Sequence, residues 1–127
     1  MTSYADFLES KRLVVPATGH NVPAEAIHPL LFDFQRDIVR WALRKGRAAI
    51  FAECGMGKTL MQIEWARHVA EHTGGRVLIL APLAVAHQTV GEGAKIGVQV
   101  AYMRGQDQIE NERLVITNYE MAARFDP

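Results

Sequence analysis

The stretch AECGMGKT at Ala52–Thr59 constrains the fold of this chain more than any other part of its sequence. A short apolar run typical of a β-strand, Arg47–Phe51, comes before it, and a helical pattern follows it. Gly55 and Gly57 allow successive backbone N–H groups to curl around an anion. The helix that begins near Lys58 adds the partial positive charge of its N-terminus. The order of strand, glycine-rich turn and helix therefore predicts a phosphate-binding loop rather than an ordinary strand–helix turn.

The residues that close this loop have the side chains that phosphate binding requires. Lys58 can reach the β- and γ-phosphates of a nucleotide, and the Thr59 hydroxyl can ligate Mg²⁺. We therefore assign the catalytic role to Lys58 and Thr59, and the metal to Thr59. The other candidate nucleotide-binding residues of this segment are Glu53, Cys54, Gly55, Met56, Gly57 and Leu60. The neighbouring lysine and helix N-terminus favour a thiolate at Cys54, whereas small loop cysteines are usually inert, and both alternatives stay open.

The composition bounds the class of protein. A length of 127 residues corresponds to one domain or part of one. Because 14 basic residues balance 14 acidic ones, any contact with nucleic acid has to come from a local patch. The single cysteine excludes an intrachain disulfide and fits a reducing compartment. The sequence has neither an apolar run of about 18 residues nor the apolar region of a secretory signal at its N-terminus. We therefore expect a cytoplasmic protein.

The patterning divides the chain into two regions. A short helix over Tyr4–Arg12 and an extended connector rich in proline and glycine are predicted within residues 1–29. Residues 30–127 show helices alternating with strands, which predicts βαβ units and a parallel sheet flanked by helices. The predicted helices run from Pro29 to Gly46, from Lys58 to His72 and from Pro82 to about Gly91. The predicted strands are Arg47–Phe51, Val77–Leu80, Val98–Tyr102 and Leu114–Thr117.

Two further predictions concern side chains with special chemistry. Trp41 and Trp65 each lie on an apolar helical stripe, so both are predicted to be core residues. The five histidines show no metal-ligand spacing, and we assign no metal to them.

Four segments, in this order, resemble the motifs of one family. They are Leu31–Gln35 (LFDFQ), Ala52–Thr59 (AECGMGKT), Val77–Leu83 (VLILAPL) and Val115–Glu120 (VITNYE). Together they resemble the Q motif and motifs I, Ia and Ib in the first motor domain of superfamily 2 helicases and translocases. Within this superfamily they most resemble the Swi/Snf-type ATPases and the helicase-like proteins of phages and bacteria. The resemblance implies a RecA-like P-loop NTPase fold, with residues 30–127 forming part of a helicase ATP-binding domain.

The resemblance also implies ligands and residue roles. ATP with Mg²⁺ would be the cofactor, and Gln35 would read the adenine, although its position also suits a solvated helix residue. Pro82, Leu83 and Gln88 would hold phosphates of a nucleic-acid strand, although they could simply form a helix start after a buried strand. Thr117 and Asn118 would do the same, although they could also form a turn and a helix cap. Single- or double-stranded DNA is the expected partner of the full-length protein.

One part of the family's chemistry has no counterpart in this sequence. ATP hydrolysis by such motors uses a strand that ends in Asp-Glu, the aspartate holding Mg²⁺ and the glutamate activating water. No apolar strand of this sequence ends in that pair. We therefore expect a RecA-like sheet truncated before its Walker B strand, which binds nucleotide without turning it over and has a tendency to self-associate. The full-length protein would be the ATP hydrolase.

Two other functions remain open from the sequence. The chain could be a stand-alone P-loop module that binds ATP, ADP or phosphate for regulation or assembly. It could also be a small P-loop kinase, although the segments that resemble the Q motif and motif Ib argue against this reading.

Overall fold

The computed structural model describes Ser3, Ala5 and residues 17–50 and 57–125. Within these ranges it has three helices, α1 (Asp33–Lys45), α2 (Lys58–Thr73) and α3 (Leu83–Lys95), and three strands, β1 (Val77–Leu80), β2 (Val100–Tyr102) and β3 (Leu114–Thr117). Short 3₁₀ turns occupy Ala24–Ala26, Gln106–Gln108 and Tyr119–Arg124. Nearly all of the predicted helix Tyr4–Arg12 and most of the loop Ala52–Thr59 lie outside the described residues. None of the described helices has the length and apolar character that crossing a membrane requires.

The three strands form a parallel sheet in the order β1–β3–β2. β3 lies in the middle, where Leu114 is opposite both Val77 and Val100. The α3 helix carries the chain from β1 to β2 past the position of β3, which is the connection that parallel strands need. The prediction of an α/β fold with a parallel sheet and flanking helices is confirmed. The bounds of β1 and β3 agree with the sequence prediction, whereas β2 begins at Val100 rather than Val98.

One face of the sheet packs against α2 and α3. Because side chains alternate between the two faces of a strand, Ile79, Leu114 and Ile116 all point toward these helices. The rest of this buried cluster consists of Ile63, Ala66, Ala70, Ala81, Ala86, Ile96, Val98 and Val100. A second buried cluster joins α1 and the connector to α2 through Val22, Ile27, Leu31, Val39, Leu43 and Met61. The N-terminus of α2 is thus held by the core on two sides.

The other face of the sheet is open at β1. Leu78 and Leu80 point to this face, and they are 42% and 40% exposed. Among the described residues β1 pairs with β3 alone, so its outer edge has backbone groups without strand partners. Free edges of this kind invite pairing with another chain. We therefore expect any self-association to use the edge of β1.

The predicted strand Arg47–Phe51 is wrong for the residues that the structure describes. Arg47–Ile50 has no strand conformation and is exposed throughout, and Phe51 lies outside the described residues. A strand needs a neighbour for its backbone N–H and C=O groups, and no described strand lies beside this run. The apolar composition of the run favoured a strand, but composition alone does not supply the pairing partner.

The connector holds the C-terminus of α1. The N–H groups of three successive connector residues donate to the last carbonyl groups of this helix, which have no partner within it. The pairs are Thr18 to Lys45, Gly19 to Arg44 and His20 to Leu43, at 3.0, 3.1 and 3.0 Å. A Cβ atom at position 19 would collide with the Leu43 carbonyl oxygen, so this close approach requires glycine.

A buried carboxylate joins the connector to α2. Glu64 is fully buried, and it accepts hydrogen bonds from the His28 N–H at 3.2 Å and from Arg67 Nε at 2.7 Å. His68 Nε2 lies 3.1 Å from the same carboxylate. Arg67 also donates to the carbonyl oxygen of Ala26 at 3.2 Å. This network fixes the segment that leads into α1, and therefore the position of Gln35.

We expect the stability of the fold to fall in acid because of Glu64. Burial raises the pKa of this carboxyl, but the hydrogen bond with His68 and the charge of Arg67 outweigh burial, so its pKa lies below the ordinary 4.5. The stabilisation is therefore present above pH 4.5 and is lost as the pH falls through the lower pKa of the folded state. Urea unfolding across this acidic range tests the expectation. A Glu64→Gln variant with the same acid dependence as the wild type would contradict it.

The two tryptophans differ in burial. Trp65 is partly buried and packs against both apolar clusters, so the core prediction is confirmed for it. Trp41 is 38% exposed, and the prediction that it is a core residue is wrong. The α1 helix packs through Val39, Ala42 and Leu43. Trp41 follows Arg40 at the edge of this stripe, where the ring is only partly covered. The α3 helix also continues past its predicted end at Gly91, to Lys95.

Candidate functional site

The described end of the loop has the backbone geometry of a helix N-terminus. Gly57 precedes α2 in the left-handed conformation (φ 73°, ψ 35°), and its carbonyl accepts the first helical hydrogen bond, from Met61, at 3.2 Å. The Lys58 side chain is exposed and the Thr59 side chain is partly exposed. Neither makes a hydrogen bond or ion pair within the part of the chain that the structure describes. Both remain available to a ligand beside the free N–H groups of the first turn.

The remaining loop residues differ in what the structure says of them. Leu60 is partly buried and packs against both apolar clusters, which anchors the first turn of α2. Four predicted binding residues lie outside the described residues: Glu53, Cys54, Gly55 and Met56.

Gln35 lies directly against the end of this loop. It is 4% exposed, so the alternative reading of a solvated helix residue is wrong. Its Oε1 accepts a hydrogen bond of 2.8 Å from the Phe32 N–H, which caps the start of α1. Its Nε2 faces Gly57 so closely that a Cβ atom there would collide with it. Reading an adenine with both amide atoms would require the bond to Phe32 to be given up. The side chain connects the beginning of α1 to the glycine that begins α2.

An exposed aromatic pair stands beside Gln35. Phe32 and Phe34 are 69% and 43% exposed, and their ring centroids lie 6.2 Å apart at an interplanar angle of 17°. Neither was among the predicted site residues, although both flank Asp33 within the segment that resembles the Q motif. The two phenylalanines are plain in the sequence, but apolar residues in a helical pattern are ordinarily assigned to the core. The sequence therefore did not single them out as exposed.

The carboxyl edge of the sheet brings together two of the predicted nucleic-acid segments. The Ala81 N–H donates to the Thr117 carbonyl at 3.1 Å, so Pro82 and Leu83 lie next to Thr117 and Asn118. Leu83, the first residue of α3, is 49% exposed. Gln88 is also exposed but lies one and a half turns into α3, away from this edge.

The side chains of Thr117 and Asn118 have structural roles in this edge. Asn118 Oδ1 accepts from the Met121 N–H at 3.0 Å and caps the turn Tyr119–Arg124, so the cap interpretation is confirmed. Thr117 is fully buried, and its Oγ1 has no hydrogen-bond partner among the described residues. Thr117 therefore has no accessible hydroxyl for a ligand, and its carbonyl is already engaged by the Ala81 N–H.

Two residues at this edge were not predicted from the sequence. The Tyr102 hydroxyl accepts a hydrogen bond of 3.3 Å from Asn118 Nδ2. The ring of His87 lies 4.9 Å from that of Tyr102, at an angle of 46°. The end of β2 and the second turn of α3 thus meet beside Asn118. No local pattern indicates this meeting, because the three residues come from three different elements.

A hollow of about 650 Å³ lies at the other end of the sheet. Two arginines line it, but their guanidinium groups are already engaged with backbone carbonyls. Arg76 donates to the carbonyls of Glu110 and Glu112 at 3.0 Å each, and Arg113 donates to that of Ala70 at 3.4 Å. These arginines close the ends of the sheet and of α2 rather than presenting free charge. Among the described residues, no group of three or more His, Cys, Asp or Glu could hold a metal ion.

Comparison with known proteins gives no relative for this chain. No family model matches it, and neither a curated protein nor a solved structure does. The fold and site define an α/β protein with a small parallel sheet flanked by helices, a layout compatible with Rossmann-like and RecA-like proteins.

Proposed function

We propose that the chain binds ATP with Mg²⁺ at Ala52–Thr59, as the nucleotide-binding part of a superfamily 2 helicase or translocase. The observation that carries the proposal is the contact between Gln35 and Gly57. Two segments that resemble different motifs of that family, 22 positions apart along the chain, meet at the N-terminus of one helix. That helix presents an exposed Lys58 and a partly exposed Thr59 with no described partners.

The chemistry of the site follows from these groups. The N-terminus of α2 and the glycine backbone would hold the phosphates, Lys58 would neutralise the β- and γ-phosphates, and Thr59 would ligate Mg²⁺. Gln35 would position Gly57 and hydrogen-bond the base. No apolar run in the sequence is followed by Asp-Glu, so we propose that these residues bind the nucleotide without hydrolysing it. Hydrolysis would belong to a full-length protein that supplies those acids.

The nucleic-acid part of the proposal rests on the carboxyl edge of the sheet. Ligands of parallel α/β sheets bind beyond the carboxyl ends of the strands. Pro82 would set the start of α3, and the first turn of that helix, from Leu83 on, would bring backbone N–H groups to a phosphate of the strand. Asn118 lies beside them and is held by Tyr102. In the full-length protein this edge would contact DNA.

Substitution of Gln35 tests whether the site recognises the base of the nucleotide. We expect Gln35→Ala to weaken ATP binding more than UTP binding, by about twofold to tenfold, because the variant loses a hydrogen bond to adenine worth about 0.5–1.5 kcal/mol. In addition, the affinities for ATP and UTP should both fall by a common factor, because the side chain that packs on Gly57 is gone. Calorimetric titration with each nucleotide measures the two effects separately.

The matched control is Gln88→Ala, an exposed glutamine of α3, which should leave both affinities unchanged. An equal loss for ATP and UTP in Gln35→Ala would refute base recognition and leave Gln35 with loop positioning alone. Unchanged affinities for both nucleotides would refute both roles.

A further inference from the structure

The outer surface of α1 contains a second hollow, which the nucleotide proposal does not use. Its volume is about 290 Å³, and its lining residues come from α1 and the connector. These are Asn21, Val22, Asp37, Arg40, Trp41 and Arg44. We call it the Trp41 hollow. The opposite side of α1 packs into the core through Val39 and Leu43, so Trp41 and Arg44 are not part of the buried cluster that holds the helix.

The indole in this hollow is available for stacking. Trp41 is 38% exposed, and within residues 17–50 and 57–125 no other ring lies stacked on it. A large aromatic ring costs free energy when it is left in water. Tryptophan combines a broad apolar face with one N–H donor, and it is enriched where proteins bind partners.

The charges around the indole favour an anionic ligand. Arg40 is held by one bond, from its Nε to the Val22 carbonyl at 2.8 Å, which leaves its terminal nitrogens to other partners. Arg44 lies one turn further on, about 6 Å along the helix axis, and makes no ion pair with the described residues. The single acid of the hollow, Asp37, lies 3.5 Å from Arg36, so a cation outside the hollow partly neutralises it.

We propose that the Trp41 hollow binds single-stranded nucleic acid, with one base stacked on Trp41 and the flanking phosphates held by Arg40 and Arg44. Aromatic rings between basic side chains are the usual platform for single strands, because every base has a face to stack and every nucleotide has a phosphate. The surface is separate from Ala52–Thr59 and does not depend on nucleotide binding there. With two arginines in contact, the affinity is weak and depends only mildly on salt, with a logarithmic slope of about −1.4 for two phosphates of a single strand.

The test uses the 127-residue chain and a short fluorescein-labelled oligothymidylate, with fluorescence anisotropy to measure affinity. We expect Trp41→Ala to weaken binding about tenfold, and Trp41→Phe to retain most of the affinity because a ring remains. Arg44→Glu should weaken binding by a similar factor. Its matched control is Lys95→Glu, which reverses an exposed charge on α3 and should leave the affinity unchanged. Lys58→Ala should also leave it unchanged.

Three results would overturn the proposal. The first is equal affinity of the wild type and Trp41→Ala, with far-ultraviolet circular dichroism showing both to be folded. The second is loss of oligothymidylate binding in Lys58→Ala, which would place the strand at the nucleotide loop. The third is displacement of the oligonucleotide by polyglutamate at equal charge concentration, which would make the surface a site for acidic peptides. Quenching of tryptophan fluorescence by the oligonucleotide in the wild type, and its absence in Trp41→Phe, would support stacking on this ring.

Discussion

Replacing Lys58 by alanine is expected to lower the affinity for ATP by about one to two orders of magnitude. The substitution removes charge-assisted contacts worth about 1.5–3 kcal/mol while the glycine backbone and the N-terminus of α2 remain. The side chain is exposed and makes no hydrogen bond or ion pair with the described residues. The free energy of unfolding should therefore stay the same, and the loss should appear in calorimetric titrations alone.

The matched control for Lys58→Ala is Lys95→Ala, which removes a lysine that is paired with Glu92 at 2.9 Å near the far end of α3. This variant should bind ATP like the wild type. Equal affinities of the wild type and Lys58→Ala would remove the lysine from the site and contradict the assignment of a phosphate-binding loop.

Replacing Glu64 by alanine is expected to destabilise the fold by about 3 kcal/mol. Removing one partner of a buried ion pair leaves the other without compensation, at a typical cost of about 3–5 kcal/mol. We take the lower end because Arg67 is partly exposed and can turn to water. The loss also releases the backbone of His28 and therefore the connector. Chemical denaturation of the two proteins at neutral pH measures the difference.

Glu71 provides a matched control for this second prediction. It pairs with the same Arg67 at 3.2 Å, but its side chain is 61% exposed. Glu71→Ala should therefore change the free energy of unfolding by no more than about 0.5 kcal/mol, as is usual for exposed pairs within a helix. Equal effects of the two substitutions would contradict the view that Glu64 anchors the connector.

The local patterns of this sequence predicted two of the described strands and the helix after Gly57. Val77–Leu80 and Leu114–Thr117 are continuous apolar runs bounded by polar or turn-forming residues, and both are strands with those bounds. The helix that follows Gly57 has an apolar stripe and a closing glycine at position 74, and it ends there. These features depend on neighbours along the chain, which is why the sequence alone reveals them.

What the sequence could not predict depends on contacts between distant residues. Arg47–Ile50 is as apolar as a strand, but whether such a run joins a sheet depends on a neighbouring strand. A charged residue in the middle of a helix usually faces water, and Glu64 is buried because the backbone of His28 comes to meet it. Trp41 has the spacing of a core residue, and only the packing of α1 decides how much of it is covered.

In the candidate site too, some features could be predicted from neighbouring residues and others depend on contacts between distant residues. Gly57, Lys58 and Thr59 could be proposed as phosphate-binding residues from their order along the chain alone, because the chemistry of a phosphate loop is local. The packing of Gln35 on Gly57 requires α1 and α2 to meet, which no spacing in the sequence shows. The meeting of His87, Tyr102 and Asn118 is of the same kind.

Residues 52–59 are proposed to bind the phosphates of a nucleotide, and amide chemical shifts measured during a titration with ATP and Mg²⁺ test this. Binding at the loop should give saturable shifts at a single site, largest for the backbone N–H groups of residues 53–60. The Gln35 side-chain amide should also shift, because that group lies against Gly57. Shifts that do not saturate, or saturable shifts that leave residues 53–60 unchanged, would contradict the claim.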